Sequence, residues 1–301
     1  MNVSWAGGAA LDPEDREASA IAGIHAGLAA GVTLLDTADI YAPSWDSLGH
    51  NEAFVAEALA SWDAPQRTKD IVVVATKGGI TRSEGEKWGR NGSLDYLLAA
   101  AEASRERLGV DTIDLWQHHR LDPSLDLETQ CENVGQLKAR GVVGQIGVSN
   151  YSASQLRRAI DILGAPSTGG VVSIQNEFSP LYRHDLDVLD VCEEFGVALL
   201  PWSPLGGSKN VDQLTTESHS VLSTMAEEKS CSVPVVTLAW LMAYSPAIIP
   251  IPGATRASSI EDCVSAAALE LTVEELEVIK ASLPLSLPRS SELEPTAPFR
   301  A

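Results

Sequence analysis

Cationic side chains are scarce in this 301-residue sequence: Lys and Arg number 21 against 41 Asp and Glu, a formal net charge of -20. Such a surface repels nucleic acid and anionic membranes, so neither is an expected partner, and an anionic cofactor must find a local basic pocket. Cysteine is scarce too. Cys131, Cys192, Cys231 and Cys263 are scattered, with no CxxC pair and no histidine at metal-ligand spacing, so no metal site is expected and a reducing, cytoplasmic compartment fits. No apolar run is long enough to cross a bilayer, and the opening MNVSWAGGAALDPED has neither the basic nor the apolar region of a targeting signal. No G-x-G-x-x-G follows a strand-like run. Gly141, Gly144 and Gly147 have the wrong spacing and precede a strand end, which argues against a doubly wound dinucleotide fold.

Hydrophobic residues make up 45% of the chain, enough for a large core. Short β-branched runs alternate with amphipathic stretches almost from end to end, the pattern of parallel strands joined by crossover helices. Strands are predicted at 32–36, 71–77, 113–119, 145–148, 171–175, 197–202 and 247–250. Helices are predicted near 14–30, 51–62, 94–108, 126–140, 152–163, 185–195, 220–230 and 234–244, with a short charged helix in LTVEELEVIKASL. Ser93 and Ser152 read as N-caps, and Gly109 and Gly164 as stops. No linker divides these units, so the expected fold is one α/β domain, a (β/α)8 TIM barrel over 1–283, followed by a Pro/Ser-rich tail over 284–301.

The candidate chemistry gathers at the C-terminal ends of the predicted strands, where barrel active sites are built. Asp36 ends VTLLD and Tyr41 follows on the loop; Lys77 ends IVVVATK; His118 and His119 end DLWQHH. A charged residue closing a buried strand needs a partner or a function, although Lys77 alone reads as well as a lysine that snorkels from the barrel mouth. Successive strand residues face opposite sides, so only one of the two histidines points inward.

The strings LLDTADIYA, VVVATKGG, IDLWQHHRLDP, GQIGVSNYS, SIQNEFSPL, PWSPLGG and IPIPGATR stand in the order and spacing found in aldo-keto reductases, so residues 14 to 283 resemble that family. The resemblance implies NAD(P)H-dependent hydride transfer between the cofactor and a small carbonyl or alcohol substrate. Tyr41 would be the proton donor, with Lys77, Asp36 and His119 around it, and His119 would orient the substrate oxygen. A nearby ammonium is expected to pull the tyrosine's pKa down, and Asp36 to keep Lys77 charged. His119 is favoured because the family's histidine immediately precedes an Arg, here Arg120; His118 falls where the family has an apolar residue.

By the same resemblance, Ser149, Asn150 and Gln175 hold the nicotinamide carboxamide and Trp202 stacks on its ring. Residue by residue these also fit ordinary turn and core chemistry. The pyrophosphate would lie on the loop SPLGGSKN, with Ser203, Leu205, Gly207 and Lys209, and Arg256 would meet the 2′-phosphate of NADPH. The adenine end departs from the family, with Thr255 and Cys263 where a basic residue and an Asn are frequent, so NADH use stays open. Trp5, Trp88, Leu121 and the 206–219 segment are candidate substrate contacts. An NADPH-binding regulatory subunit with little turnover, and a lyase forming a Schiff base on Lys77, are the alternatives.

Family members carry an N-terminal hairpin and a first strand before a segment like MNVSWAGG. Seven strands are predicted where the barrel needs eight. Either the sequence starts past strand one, or Asn2–Trp5 forms a shortened version of it.

Overall fold

The computed structural model describes residues 13–207, 210–253 and 256–283; Asn2–Trp5, Lys209 and the 284–301 tail lie outside the described residues. In chain order the strands are β1 (Leu34–Asp36), β2 (Val73–Gly78), β3 (Ile80–Ser83), β4 (Lys87–Arg90), β5 (Ile113–His118), β6 (Val143–Ser149), β7 (Val171–Gln175) and β8 (Ala198–Leu199). The helices are α1 (Pro13–Ala29), α2 (His50–Ser61), α3 (Gln66–Lys69), α4 (Leu94–Leu108), α5 (Leu127–Ala139), α6 (Ala153–Leu163), α7 (Leu186–Phe195), α8 (Ser220–Lys229), α9 (Val233–Tyr244), α10 (Ala257–Ser265) and α11 (Val273–Ser282).

Local signals set many of these boundaries. Ser93 precedes α4 in extended conformation, and Gly109 ends it at φ 68°, a left-handed stop that glycine adopts without steric cost. Ser152 caps α6 by accepting from Gln155 N, and Gln155 reaches back to the Ser152 N–H, the reciprocal capping box.

Six strands form one parallel sheet in the order β1-β2-β5-β6-β7-β8, and Ile248 continues it through a parallel bridge to Leu199. The sheet is the wall of a (β/α)8 barrel whose circuit is incomplete among the described residues. Between β1 and Ile248 lies an apolar groove of about 300 Å³, lined by Ile24 and Gly27 of α1, Leu34, Ile249 and Ile260. The first strand, expected over 32–36, is shortened to Leu34–Asp36, and the last two expected strands are reduced further. The 197–202 run pairs at Ala198–Leu199, with Leu200 N donating to Ile174 O, is interrupted at Pro201, which has no N–H, and is resumed by the bridge of Trp202 to Glu177 before the chain turns off through Ser203 at φ 51°. The 247–250 run is reduced to the Ile248 bridge, and Pro250 and Pro252 beyond it have no N–H to extend a ladder.

Apolar residues fill the space between sheet and helices. One cluster includes Ile24, Val74, Leu97, Ile113 and Ile146, and a second includes Leu156, Ile174, Leu189, Leu222 and Trp240. The inner face near the strand ends is polar. Gly147 is needed there: a Cβ on it would lie 2.8 Å from Gln117 Cγ and collide with Ser173 Oγ, so its bare backbone lets these side chains meet inside the barrel.

The doubled histidine separates as strand alternation demands. His118 lies fully buried on the helix side, its ring 6.4 Å from that of Trp116 and near-parallel to it, with Nδ1 2.8 Å from the Tyr151 hydroxyl. Among the described residues its Nε2 has no hydrogen-bond partner, and burial pushes its pKa down to about 4, against a weaker opposing pull from Asp122. Once unfolded, this imidazole titrates near 6.5, so the unfolded chain binds the extra proton between these values and stability falls as pH drops from 6.5 towards 4. The full effect is about 3 kcal/mol. We expect His118→Leu to lose less stability than the parent over this range in urea unfolding. His119, shifted in the same direction, keeps a slope of its own. Equal slopes in parent and variant would exclude His118 as a contributor.

Candidate active site

At the mouth of the barrel, β1 and β2 deliver Asp36 and Lys77 side by side. Lys77 is completely buried, and its ammonium donates to Asp36 Oδ2 at 2.7 Å and to Thr37 O at 2.7 Å. Its third hydrogen bond goes to the Tyr41 hydroxyl, so all three N–H donors are engaged. The nitrogen stands 5.2 Å from the Tyr41 ring centre. The other oxygen of Asp36 accepts from the side-chain amides of Gln175 at 2.8 Å and Gln117 at 3.2 Å. Burial alone would lower the pKa of Lys77. The Asp36 carboxylate, Tyr41 and their hydrogen bonds outweigh it and hold the value above the usual lysine range.

The Tyr41 hydroxyl moves in the opposite direction from the sequence expectation. Burial, the largest cause, raises its pKa; the Lys77 charge and hydrogen bond pull it down, while the Asp36 and Asp39 carboxylates push it further up. The net shift is upward, so the phenol carries its proton at neutral pH. The His119 ring meets that of Tyr41 edge-on, centroids 6.2 Å apart. Burial first, and then the charges of Lys77 and Arg120 with smaller contributions from His118 and Arg90, keep His119 far below the ordinary histidine value and therefore neutral.

Ser149, Asn150, Gln175 and Trp202 come together on the adjoining strand ends. Ser149 Oγ donates to Gln175 O at 2.7 Å, and Asn150 Nδ2 donates to Ser149 Oγ at 2.9 Å and to His119 O at 3.1 Å. The indole N–H of half-buried Trp202 donates to Asn150 Oδ1 at 3.2 Å. Asn150 adopts φ 60°, a left-handed turn that an Asn tolerates and that lets its backbone N–H reach Asn176 Oδ1 at 2.8 Å. Ser203 and Leu205 follow in a turn that continues through Gly206 and Gly207, both at positive φ. Arg256 is exposed at the N-terminus of α10, away from these groups in sequence and on a different element.

Several contributors carry no sequence signal of their own. Gln117 lies two residues before His119 on the same strand face, and that spacing is the only hint of its contact with Asp36. Beneath the Tyr41 loop, Glu52 accepts from Arg107 Nε at 2.6 Å and Thr76 Oγ1 at 2.5 Å, and Asn51 donates to Thr37 Oγ1 at 2.8 Å. Burial first, and then the Glu52 carboxylate, push the pKa of the neighbouring Asp39 well above the usual carboxylate range, against weaker opposing pulls from Arg107 and Lys77. No group of three or more His, Cys, Asp or Glu among the described residues is arranged to hold a metal ion, and no described helix is long and apolar enough to cross a membrane.

Comparison with known proteins bears on this arrangement. Residues 5–284 match the aldo/keto reductase family. An uncharacterized oxidoreductase of Schizosaccharomyces pombe is 30% identical over 263 residues, covering 87% of this chain and 78% of that protein. A thermostable aldo-keto reductase solved with the inhibitor epalrestat shares the fold at a TM-score of 0.73 and 24% identity over 93% of each chain. An aldo-keto reductase from a Medee basin deep-sea metagenome library does so at 0.70 and 22%, over 90% of this chain and 88% of the other. With a sequence match that runs from Trp5 to Pro284 and a fold shared over nine-tenths of its length, the chain belongs to the aldo/keto reductase family.

Proposed function

We propose that this chain is an NAD(P)H-dependent carbonyl reductase, a single catalytic domain over 1–283, in which Tyr41 protonates the substrate oxygen. The observation that carries the reading is the buried chain of contacts Asp36–Lys77–Tyr41, with His119 edge-on to the phenol. The bound nicotinamide would supply the hydride to the carbonyl carbon. Tyr41, protonated at rest, gives up its proton as negative charge grows on the oxygen, and the Lys77 ammonium stabilises the tyrosinate left behind. His119 is neutral, so it can donate one hydrogen bond to the same oxygen without adding a competing acid.

The residues at the adjoining strand ends fit a nicotinamide. Ser149, Asn150 and Gln175 are short polar groups suited to an amide that needs donors and acceptors, and Trp202 offers a flat apolar face. The turn at Ser203, Leu205, Gly206 and Gly207 suits a pyrophosphate, and Lys209, two residues on in the sequence, is the candidate cation for it. Substrates are small carbonyl compounds, or alcohols in the reverse direction, handled in the cytoplasm. A Schiff-base lyase is disfavoured because the Lys77 nitrogen is held charged by its three acceptors, whereas such chemistry needs a free amine.

Two outcomes test this reading. Tyr41→Phe should lower kcat for aldehyde reduction by about 10²–10⁴-fold and leave the Kd for NADPH, measured by fluorescence quenching, unchanged. The parent's kcat should stay level through neutral pH and fall only in the alkaline range above the usual tyrosine value. Wild-type kcat in the Phe variant would exclude Tyr41 as the acid, and tight NADPH binding without turnover of any aldehyde by the parent would favour the regulatory-subunit reading.

The cofactor preference is assigned to Arg256, whose guanidinium can pair bidentately with a 2′-phosphate beside the α10 N-terminus. Arg256→Ala should cost NADPH, and not NADH, about 1–3 kcal/mol in kcat/KM. An unchanged NADPH/NADH ratio would remove Arg256 from this role.

A further inference from the structure

The side chain of Tyr41 is oriented by Lys77, but its backbone lies on the loop between β1 and α2, and that loop is fixed from outside the barrel. The antiparallel hairpin β3–β4, absent from the sequence expectations, covers it. Arg82 of β3 has a side chain only 6% exposed, although the hairpin is a surface element. Its Nη1 donates to Ala42 O at 2.7 Å and to Ile40 O at 3.4 Å, and its Nη2 to Pro43 O at 3.2 Å. Those carbonyls belong to the residues on either side of Tyr41. The Nε donates to Glu86 Oε2 at 2.5 Å, and Glu86 Oε1 in turn accepts from the backbone N–H of Trp45, farther along the same loop. The Trp88 ring closes over the guanidinium at 4.8 Å. Ala38, Ile40 and Ile80 form a small buried cluster against which Tyr41 and Trp88 both pack.

A guanidinium suits this place because its planar fork presents several N–H groups in fixed directions, whereas an ammonium is a point donor. The fork gathers the carbonyls of 40, 42 and 43 onto one group beside the phenol. A displacement of about 1 Å in a reacting group, even one caused from a distance, can cost about a hundredfold in rate.

We propose that Arg82 is a positioning residue for Tyr41, gripping the backbone on both sides of it so that the hydroxyl stays within reach of Lys77 and the substrate oxygen. This rests on the reading of Tyr41 as the acid. The Glu86 carboxylate and the Trp88 ring orient the guanidinium in turn, which gives the hairpin a catalytic purpose beyond covering the barrel mouth.

The test compares Arg82→Met and Arg82→Lys with the parent and with Tyr41→Phe. Each is measured for kcat and KM with a simple aldehyde, for NADPH Kd, and for hydrogen–deuterium exchange in peptides covering residues 38–46. We expect Arg82→Met to lose about ten- to hundredfold in kcat with little change in KM or NADPH Kd. Exchange in 38–46 should be faster while the β5–β7 peptides are unaffected. Arg82→Lys, which keeps a donor but not the fork, should fall between Arg82→Met and the parent on both readouts. Wild-type kcat in Arg82→Met, or a loss of kcat matched by faster exchange across the whole barrel, would overturn the proposal. If Tyr41→Phe itself turned over at the parental rate, the acid assignment would fall, and exchange in 38–46 alone would then decide whether Arg82 holds this loop.

Discussion

The ion pair between Lys77 and Asp36 is the constraint on which the rest of the site depends. Both groups are withdrawn from water, and an ion pair in such surroundings is stable only if the remaining donors and acceptors of both partners are satisfied. Here they are: the ammonium has Thr37 O and the Tyr41 hydroxyl besides Asp36, and the carboxylate has Gln117 and Gln175. Each partner arrives from a different strand, so the pair fixes the relative position of β1, β2, β5 and β7 at the barrel mouth. A fixed positive charge next to a protonated phenol then follows from the fold and needs no further arrangement when substrate binds.

Around this centre the strand ends and the Tyr41 loop are each held by contacts of their own. The strand ends of β5 to β7 place His119, Ser149, Asn150 and Gln175, and their mutual hydrogen bonds leave little freedom. The Tyr41 loop is held from below by α2, where Asn51 N donates to Tyr41 O and Glu52 anchors Arg107 and Thr76, and from above by the β3–β4 hairpin. Gln175 has two relationships at once. Its side-chain amide supports Asp36 and its carbonyl accepts from Ser149, so the ion pair and the Ser149–Asn150 group share a residue.

Much of this was legible in the sequence, because the signals involved are local. Helix α4 falls on 94–108 as the Ser93 and Gly109 stops require, and β7 occupies 171–175 as its β-branched run suggests. The strand-end placement of Asp36, Lys77 and the two histidines followed from the same periodicity, with Tyr41 on the loop after β1; alternation along β5 required one histidine inward and one outward, and the choice of His119 came from the resemblance. The hairpin was not legible. Its strands ITRS and KWGR are short and mostly polar, and the turn between them relies on positive φ at Gly85 and Glu86, only the first of which a glycine announces. The direction of the Tyr41 shift was also beyond the sequence. Which residue stands near a phenol can be guessed from a motif, but whether burial outweighs the neighbouring ammonium depends on how completely the ring is enclosed, a property of the packed molecule.

The central claim is that Lys77 is a permanently charged group held by Asp36, and its charge state can be observed directly. Lysine labelled at the ε-carbon gives an NMR signal whose shift reports protonation, and Lys77→Met identifies the resonance. With Asp36 in place, the Lys77 signal should remain that of an ammonium up to and beyond pH 10, and in Asp36→Asn it should titrate at lower pH because burial is then less opposed. A neutral amine signal for Lys77 at pH 7 in the parent protein would contradict the account.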